Sequence, residues 1–438
     1  MKLSITFFII SCVFSSNLSA QIKLTLSIAK DILEHNNTNI KQSVLREKIS
    51  RIELDQSYDN LWPNLGFSIN NQNTMGLNFD QVTGQLVTGN QWAHYANASL
   101  TSSVTFFQGF RDINTIRLNK VNLDLSRLDT DRLRHELQIQ LVTLFFRCLI
   151  NYDLYQVSTQ QANFSAQLVL AEEHKISTGK STLVDLAQAK SKLANDELNK
   201  TNAKNAYDLS VFKLKQLLEI DSEIEIIKPE LERQDPVFLL KDDNIFINDP
   251  YIKLANKRID QSILNKRIIK SNYYPTLNFN GGYGTNFSSR RFTSVYSTKV
   301  MPLGDQINNN RSLYLNLSLS FSIFDKNITK SSIAKINLNT ENLLMERDKV
   351  SKERAQNIHQ LKMEYQAAIV ENKAIESAYN SSKVNYQAMK ERFNVGKSSS
   401  IDLFKALTDF NMNEFKKITS IYNIHLKENL IKLELAIP

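Results

Sequence analysis

The chain has 438 residues, only 11 of them Gly and 7 Pro, with 42% hydrophobic and 22% charged side chains. So few helix breakers, beside abundant Asn, Gln, Ser, Leu and Lys, describe long amphipathic helices with wet faces and not a compact enzyme. The formal net charge of +8 is spread along the predicted helices without clustering among aromatics, which argues against nucleic acid as a partner.

Residues 1–20, MKLSITFFIISCVFSSNLSA, carry one Lys, an apolar run from Ile5 to Phe14 and small residues before Gln21. That is the pattern of a secretory signal peptide cut after Ala20, too short to serve as a membrane span. The stretch Ile9-Ile10-Ser11-Cys12 also resembles a lipoprotein cleavage box, an alternative that would put a lipid on Cys12. Removal of the signal leaves Cys148 alone, so no internal disulfide is expected. Cys148 falls on a stripe with Leu133, Leu137, Leu141 and Leu144 and reads as a small buried hydrophobe. No other stretch approaches the ~20 apolar residues of a membrane helix, so entry into a membrane would be made by strands.

A first helical segment is predicted over 22–58, ending at Leu61-Trp62-Pro63; its counterpart, 250–273, ends at Tyr274-Pro275. Pro63 and Pro275 stop the helix and hold the preceding residue extended, turning the chain from helix into strand. Alternating apolar residues then give short strands near 64–70 (Leu65, Phe67, Ile69) and 276–284 (Leu277, Phe279, Tyr283), followed by polar loops at about 71–95 and 286–310. Gly281-Gly282-Tyr283-Gly284 is no phosphate loop, because no helix follows it.

A second pair of strands is predicted near 96–107 and 312–324. In the latter, LYLNLSLSFSIF, Leu313, Leu315, Leu317, Leu319, Phe321 and Ile323 alternate with Tyr314, Asn316, Ser318, Ser320 and Ser322. One greasy face and one wet face over about ten residues suit a strand crossing a bilayer at a tilt, with Leu315, Leu317, Leu319 and Phe321 toward lipid and the small polar residues toward water. Long helices follow, about 111–177 and 326–394. Each would span roughly 100 Å if continuous, turns at Gly179 or Gly396, and returns as a helix over about 182–218 or 400–435. Ile358, Leu361, Tyr365 and Ala368 mark a narrow packing seam.

Phe107 and Phe324 are separated by 324 − 107 = 217 residues, and Gly179 and Gly396 by the same interval. The chain therefore reads as a tandem duplication, a first repeat over 21–235 and a second over 236–438. The fold class expected is mainly α with membrane β: two long antiparallel coiled-coil hairpins and four strands. Four strands cannot close a membrane barrel, which needs about eight, so several chains must contribute.

The segments KISTGKSTLVDLAQAKSKL (175–193) and RFNVGKSSSIDLFKALTDF (392–410), the Pro-x-Leu openings at Pro63 and Pro275, and the duplicated strand-to-helix passage resemble the TolC family of outer-membrane efflux proteins. The resemblance covers nearly all of the chain after residue 20. It implies a homotrimer with a shared twelve-stranded barrel in outer-membrane lipid of a Gram-negative bacterium, continued by a periplasmic α-helical tunnel. A periplasmic adaptor and, through it, an inner-membrane transporter are the implied partners. Adaptors would dock at the hairpin tips, Gly179, Lys180, Gly396 and Lys397. The family pattern also implies a pair of aspartates three residues apart at the periplasmic entrance. Asp402 matches the first, whereas Lys405 stands at the second, and Asp185 and Gln188 hold these places in the first repeat. Ser398 replaces a basic residue of the closing network. These departures weaken the expectation of a strongly cation-selective gate.

No catalytic constellation accompanies these features. The six histidines, His35, His94, His135, His174, His359 and His425, show no metal-ligand spacing, and there is no Cys-x-x-Cys and no nucleophile elbow. No cofactor and no enzymatic activity are expected. The function expected is a passive exit duct for a tripartite efflux pump or a type I secretion system; the alternative is a periplasmic adaptor or structural coiled-coil protein without a pore.

Overall fold

The computed structural model describes residues 22–80, 84–87, 89–90, 92–179, 181–229, 249–294 and 296–435. The expected signal peptide with Cys12, the expected repeat boundary at 235/236, and Lys180 lie outside the described residues. Two compact units are formed, one from the described residues within 1–42, 131–245 and 352–438, the other from those within 43–130 and 246–351.

In the first unit the chain opens with β1 (Ile22–Leu24), which pairs in parallel with β6 (Ile224–Ile226). The helix expected over 22–58 is thus shorter and broken: α1 covers Leu26–Asn36 and α2 covers Thr38–Asp59. Thr25 caps α1 by accepting from the Ile28 amide, and Asn37 interrupts the helix with φ −58° and ψ 121° while its Oδ1 accepts from the amides of Asn39 and Ile40. An asparagine side chain that satisfies the free amides of a new helix start is a sufficient reason for the break. The core of this unit joins Leu24, Leu33 and Ile40 to Leu141, Phe145, Phe146 and Leu149 of α3 (Arg111–Ser177) and to Leu214 and Leu218 of α4 (Leu183–Leu218). Cys148 is fully buried there, and burial pushes its thiol pKa up to about 11, as expected for an inert packing residue.

Two helices of the second half, α7 (Ile328–Asn394) and α8 (Ser400–Glu434), pack through Leu361, Tyr365 and Ala368 against Ile424 and Ile431, the seam marked by the sequence. Buried polar pairs fix the register of each hairpin. Asp196 of α4 takes a hydrogen bond from Ser165 of α3, and Ser420 of α8 donates to Asn372 of α7 at 2.9 Å. Such pairs cost little while matched, but sliding the helices would leave a buried polar group unpaired.

The second unit holds a four-stranded antiparallel sheet in the order β2-β5-β7-β8. Its strands, β2 (Asn64–Met75), β5 (Trp92–Gln108), β7 (Thr276–Ser288) and β8 (Ser312–Ser320), correct the expected limits. Three run beyond the apolar alternation, because Asn71–Met75 of β2 pair with Trp92–Ala96 of β5, and Thr285–Ser288 of β7 pair with Tyr95–Ala98. Backbone pairing thus continues where side-chain patterning stops. The fourth ends early, at Ser320, so Phe321 and Ile323 leave the strand; the chain then passes through left-handed Lys326 and Asn327 (φ 57° and 61°) into α7. The polar loops are also more ordered than expected. One carries a small hairpin, β3 (Asn78–Asp80) with β4 (Gln85–Val87), and the other a short helix, α6 (Leu303–Asn309). The remaining helix, α5 (Pro250–Lys270), is capped by Asp249 with Pro250 in its first turn, and a 3-10 turn over Ser271–Tyr273 leads to Pro275.

Candidate functional site

Strand pairing places side chains of like chemistry in rows across the sheet. Phe67, Leu100, Tyr283 and Leu313 are successive cross-strand partners, as are Val104, Phe279 and Leu317. On the opposite face Asn64, Ser103, Asn280 and Asn316 form one row, and Ser68, Ser99, Gly284 and Ser312 another. Paired residues in an antiparallel sheet point the same way, so the sheet is apolar on one side and polar on the other. The polar side is knitted by Ser68 to Ser99 at 2.9 Å, Thr105 to Asn278 at 2.9 Å and Ser103 to Asn64 at 2.9 Å. A bulge between Thr105 and Phe107 lets two consecutive phenylalanines serve the apolar side: Phe107 pairs with Leu277, while Phe106 stacks on Phe279 with centroids 5.9 Å apart.

Among the described residues nothing covers the apolar face. Leu315, Leu317 and Leu319 are 68%, 62% and 70% exposed, and Leu65 and Phe67 on the opposite edge strand are as open. Phe321 is exposed too, but it stands beyond the strand end and is not a strand-face residue. Both edges, β2 and β8, lack a further partner among the described residues. Pro63 and Pro275 each stand immediately before their strand.

The helix pairs end in matched turns. Gly179 and Gly396 adopt φ 71° and 73°, and beyond the adjoining residues no described atom lies within 4 Å of where a Cβ would stand on either. After α7, the Gly396 amide donates to the Phe393 carbonyl at 3.0 Å and the Lys397 amide to that of Arg392 at 2.7 Å. That is a Schellman closure, which needs a left-handed residue at the place of Gly396. Lys397 is exposed. The return helices start with capping boxes: Thr182 with Asp185 on α4, and Ser399 with Asp402 on α8. Hydrogen bonds from Ser399 hold the Asp402 carboxyl below the usual aspartate range, with smaller contributions from Arg392 and then Lys405. The Asp402 carboxylate is thus engaged by its helix cap, and Lys405 acts on it through a smaller electrostatic effect. Gln188 turns toward α8, sharing a cleft of about 350 Å³ with Ile401 and Phe404.

Sequence reasoning missed the contacts that steady the first tip. Glu172 is buried, accepting from Lys175 at 2.9 Å and from Ser181 at 2.5 Å, and the Lys175 ammonium sits 3.8 Å from the centre of the Phe393 ring of α7. A charge beneath a turn has no periodic signature, and in the sequence nothing sets Glu172 apart from the adjacent Glu173.

Residues 30–218 and 243–429 match the model of the outer membrane efflux protein family. The chain belongs to that family. Its members are channels of the outer membrane, not enzymes, and they form the outer-membrane component of efflux systems that work with adaptors and inner-membrane transporters. Solved structures of the same fold include the Campylobacter jejuni CmeC outer membrane channel, at TM-score 0.81 and 14% identity over 94% of this chain and 85% of that one. CusC follows at 0.79 and 12%, over 95% and 92%. The open state of the Neisseria gonorrhoeae MtrE outer membrane channel gives 0.76 and 16%, over 94% and 88%. No match is found among curated protein sequences. Family membership puts the chain in the outer membrane, and no described helix is long and apolar enough to cross it.

Proposed function

We propose that three copies of this chain build a passive outer-membrane duct, the exit of a tripartite efflux pump or a type I secretion system. The observation that carries this reading is the four-stranded sheet with one apolar face, one polar face and two open edges. An unpaired edge in hydrocarbon costs several kcal/mol per backbone group, so β8 of one copy must meet β2 of the next until the barrel closes. Three copies give twelve strands, with the leucines of β8 toward lipid and the Asn and Ser rows toward a water-filled lumen. Uncovered apolar residues on the helices support the same assembly. Met363, Val370 and Val384 lie at multiples of seven along α7 and are all exposed, a seam awaiting a neighbouring helix in a coiled-coil tunnel.

In this reading the two tips of each protomer, around Gly179 and Gly396 with Lys180 and Lys397, offer six quasi-equivalent docking sites for periplasmic adaptors, and Asp402 and Lys405, with Asp185 and Gln188, surround the entrance. Transport work belongs to the inner-membrane partner. The deciding experiment is purification from outer membranes: trimers that dissociate only on heating and conduct ions in planar bilayers are expected, and monomers without conductance would overturn the assignment.

A further inference from the structure

At the loop end of the sheet, the polar face carries a cleft of about 400 Å³. That lies within the range of small-molecule sites, about 300–1,000 Å³. Its floor is a grid laid down by strand pairing. Asn70, Asn97 and Asn286 are cross-strand partners in one row, and Gln72 and Tyr95 stand in the next row on the same face. Adjacent strands are about 4.8 Å apart, and same-face residues along a strand about 6.8 Å apart. The grid therefore presents carboxamides at intervals comparable to the hydroxyl groups of linked sugar rings.

The roof comes from the β3–β4 hairpin, which supplies Asn78 and Phe79. Two contacts hold it over the polar face. Asn78 Nδ2 donates to Thr74 Oγ1 at 3.0 Å, and the fully buried Asp80 accepts from the equally buried Ser288 Oγ at 2.6 Å. Phe79 remains 56% exposed, a large aromatic ring beside an amide floor. The cleft is thus a built feature with a fixed roof.

We propose that this cleft binds a neutral saccharide of about two rings. No charged side chain is among the described residues that line it, and the two charges that act on Tyr95, those of Asp80 and Arg290, are of opposite sign, so a neutral ligand suits it best. Each carboxamide both donates and accepts, the complement of hydroxyl groups that do the same. Asn286 Oδ1 is buried without a partner among the described residues, so a small rotation of this amide that brings it to a ligand hydroxyl satisfies a group otherwise left unpaired. Phe79 provides the apolar surface on which the C–H face of a pyranose packs. All of the residues that line the site belong to one chain.

The test is calorimetric titration of the full-length protein in an amine-oxide detergent, since alkyl maltosides carry a disaccharide of their own. Maltose, lactose and N,N′-diacetylchitobiose are the probes, with glucose 6-phosphate and glucosamine as charged comparisons. Saturable binding of at least one neutral disaccharide is expected, tighter than either charged sugar, weakened about tenfold by Phe79→Ala and by Asn286→Ala, and unchanged by Asn339→Ala on the exposed surface of α7. Should Asn286→Ala fail to fold, the exposed Phe79→Ala carries the comparison. Absence of saturable binding by protein with intact helical circular dichroism, equal binding of the charged sugars, or indifference to Phe79→Ala would each overturn the proposal.

Discussion

Ser399 and Asp402 cap one another: the Ser399 hydroxyl donates to Asp402 Oδ2 at 2.7 Å, and the Asp402 amide donates to the Ser399 Oγ at 3.2 Å. Thr182 and Asp185 repeat both bonds, at 2.7 and 3.2 Å, 217 residues earlier (399 − 182 = 217). Because the cap holds the Asp402 pKa below its unfolded value, its stabilisation is fully present above the ordinary aspartate range, near pH 4, and is lost as pH falls through the lower folded pKa. Amide exchange in the first turn of α8 should therefore be insensitive to pH between 5 and 7 once the intrinsic exchange rate is divided out, and should lose protection only below about pH 4. Asp402→Asn should flatten that acid limb.

Glycines with the same left-handed backbone should respond differently to substitution. A Cβ on Gly396 meets open space, so Gly396→Ala should cost only the backbone penalty, roughly 1–2 kcal/mol. On Gly109, φ 63°, the same atom would stand 2.6 Å from the Ser271 carbonyl oxygen and 2.7 Å from the Tyr274 Cβ, so Gly109→Ala should cost more. The second repeat places Lys326 at the position of Gly109, with φ 57°. Lys326→Gly should then stabilise by roughly 1 kcal/mol. Urea midpoints of the three variants in one detergent check the order.

This pairing shows what the sequence makes legible. Both long helices have 67 residues and start 217 apart, at Arg111 and Ile328, and the Phe107–Phe324 and Gly179–Gly396 correspondences already mark that interval. Alternation identified all four sheet strands because each buries or exposes one face. What stayed hidden lacks periodicity: β1 and β6 are three residues each, the break at Asn37 depends on one side-chain cap, and the β3–β4 hairpin is held by contacts distant in sequence. The tip residues were identifiable as turn and cap by type, but which neighbour, Ser399 or a cation, engages Asp402 most strongly is a competition that spacing alone does not decide.

On β8, neighbouring residues should tolerate charge unequally. Leu317→Arg should cost roughly 2–4 kcal/mol if the side chain sits near the bilayer midplane, and Ser318→Arg far less. The amount of each variant assembled in outer membranes measures this; equal losses would contradict the assignment of the leucine face to lipid.

Docking at the tips predicts a separation of assembly from export. Lys397 is exposed beside Gly396, and Lys397→Trp should leave trimers intact while abolishing export of a reporter substrate, because bulk at the tip obstructs the adaptor without touching the sheet. Full export by this variant, and by its counterpart Lys180→Trp, would remove the docking role.

The entrance supplies the last prediction. Asp402 remains ionised at neutral pH, and Lys405 lies one turn along the exposed start of α8, with an electrostatic effect on Asp402 smaller than that of the Ser399 bonds. In a trimer three carboxylates and three ammonium groups would share one constriction, and opposite charges at such range cancel much of the field that a carboxylate ring alone would project. Weak cation selectivity is therefore expected of the native duct. Lys405→Asp should raise it markedly, and Asp402→Asn should lower it, both read as reversal potentials across a salt gradient in planar bilayers. If neither substitution moves the reversal potential, these side chains do not line the constriction, and Asp402 serves only to start the helix.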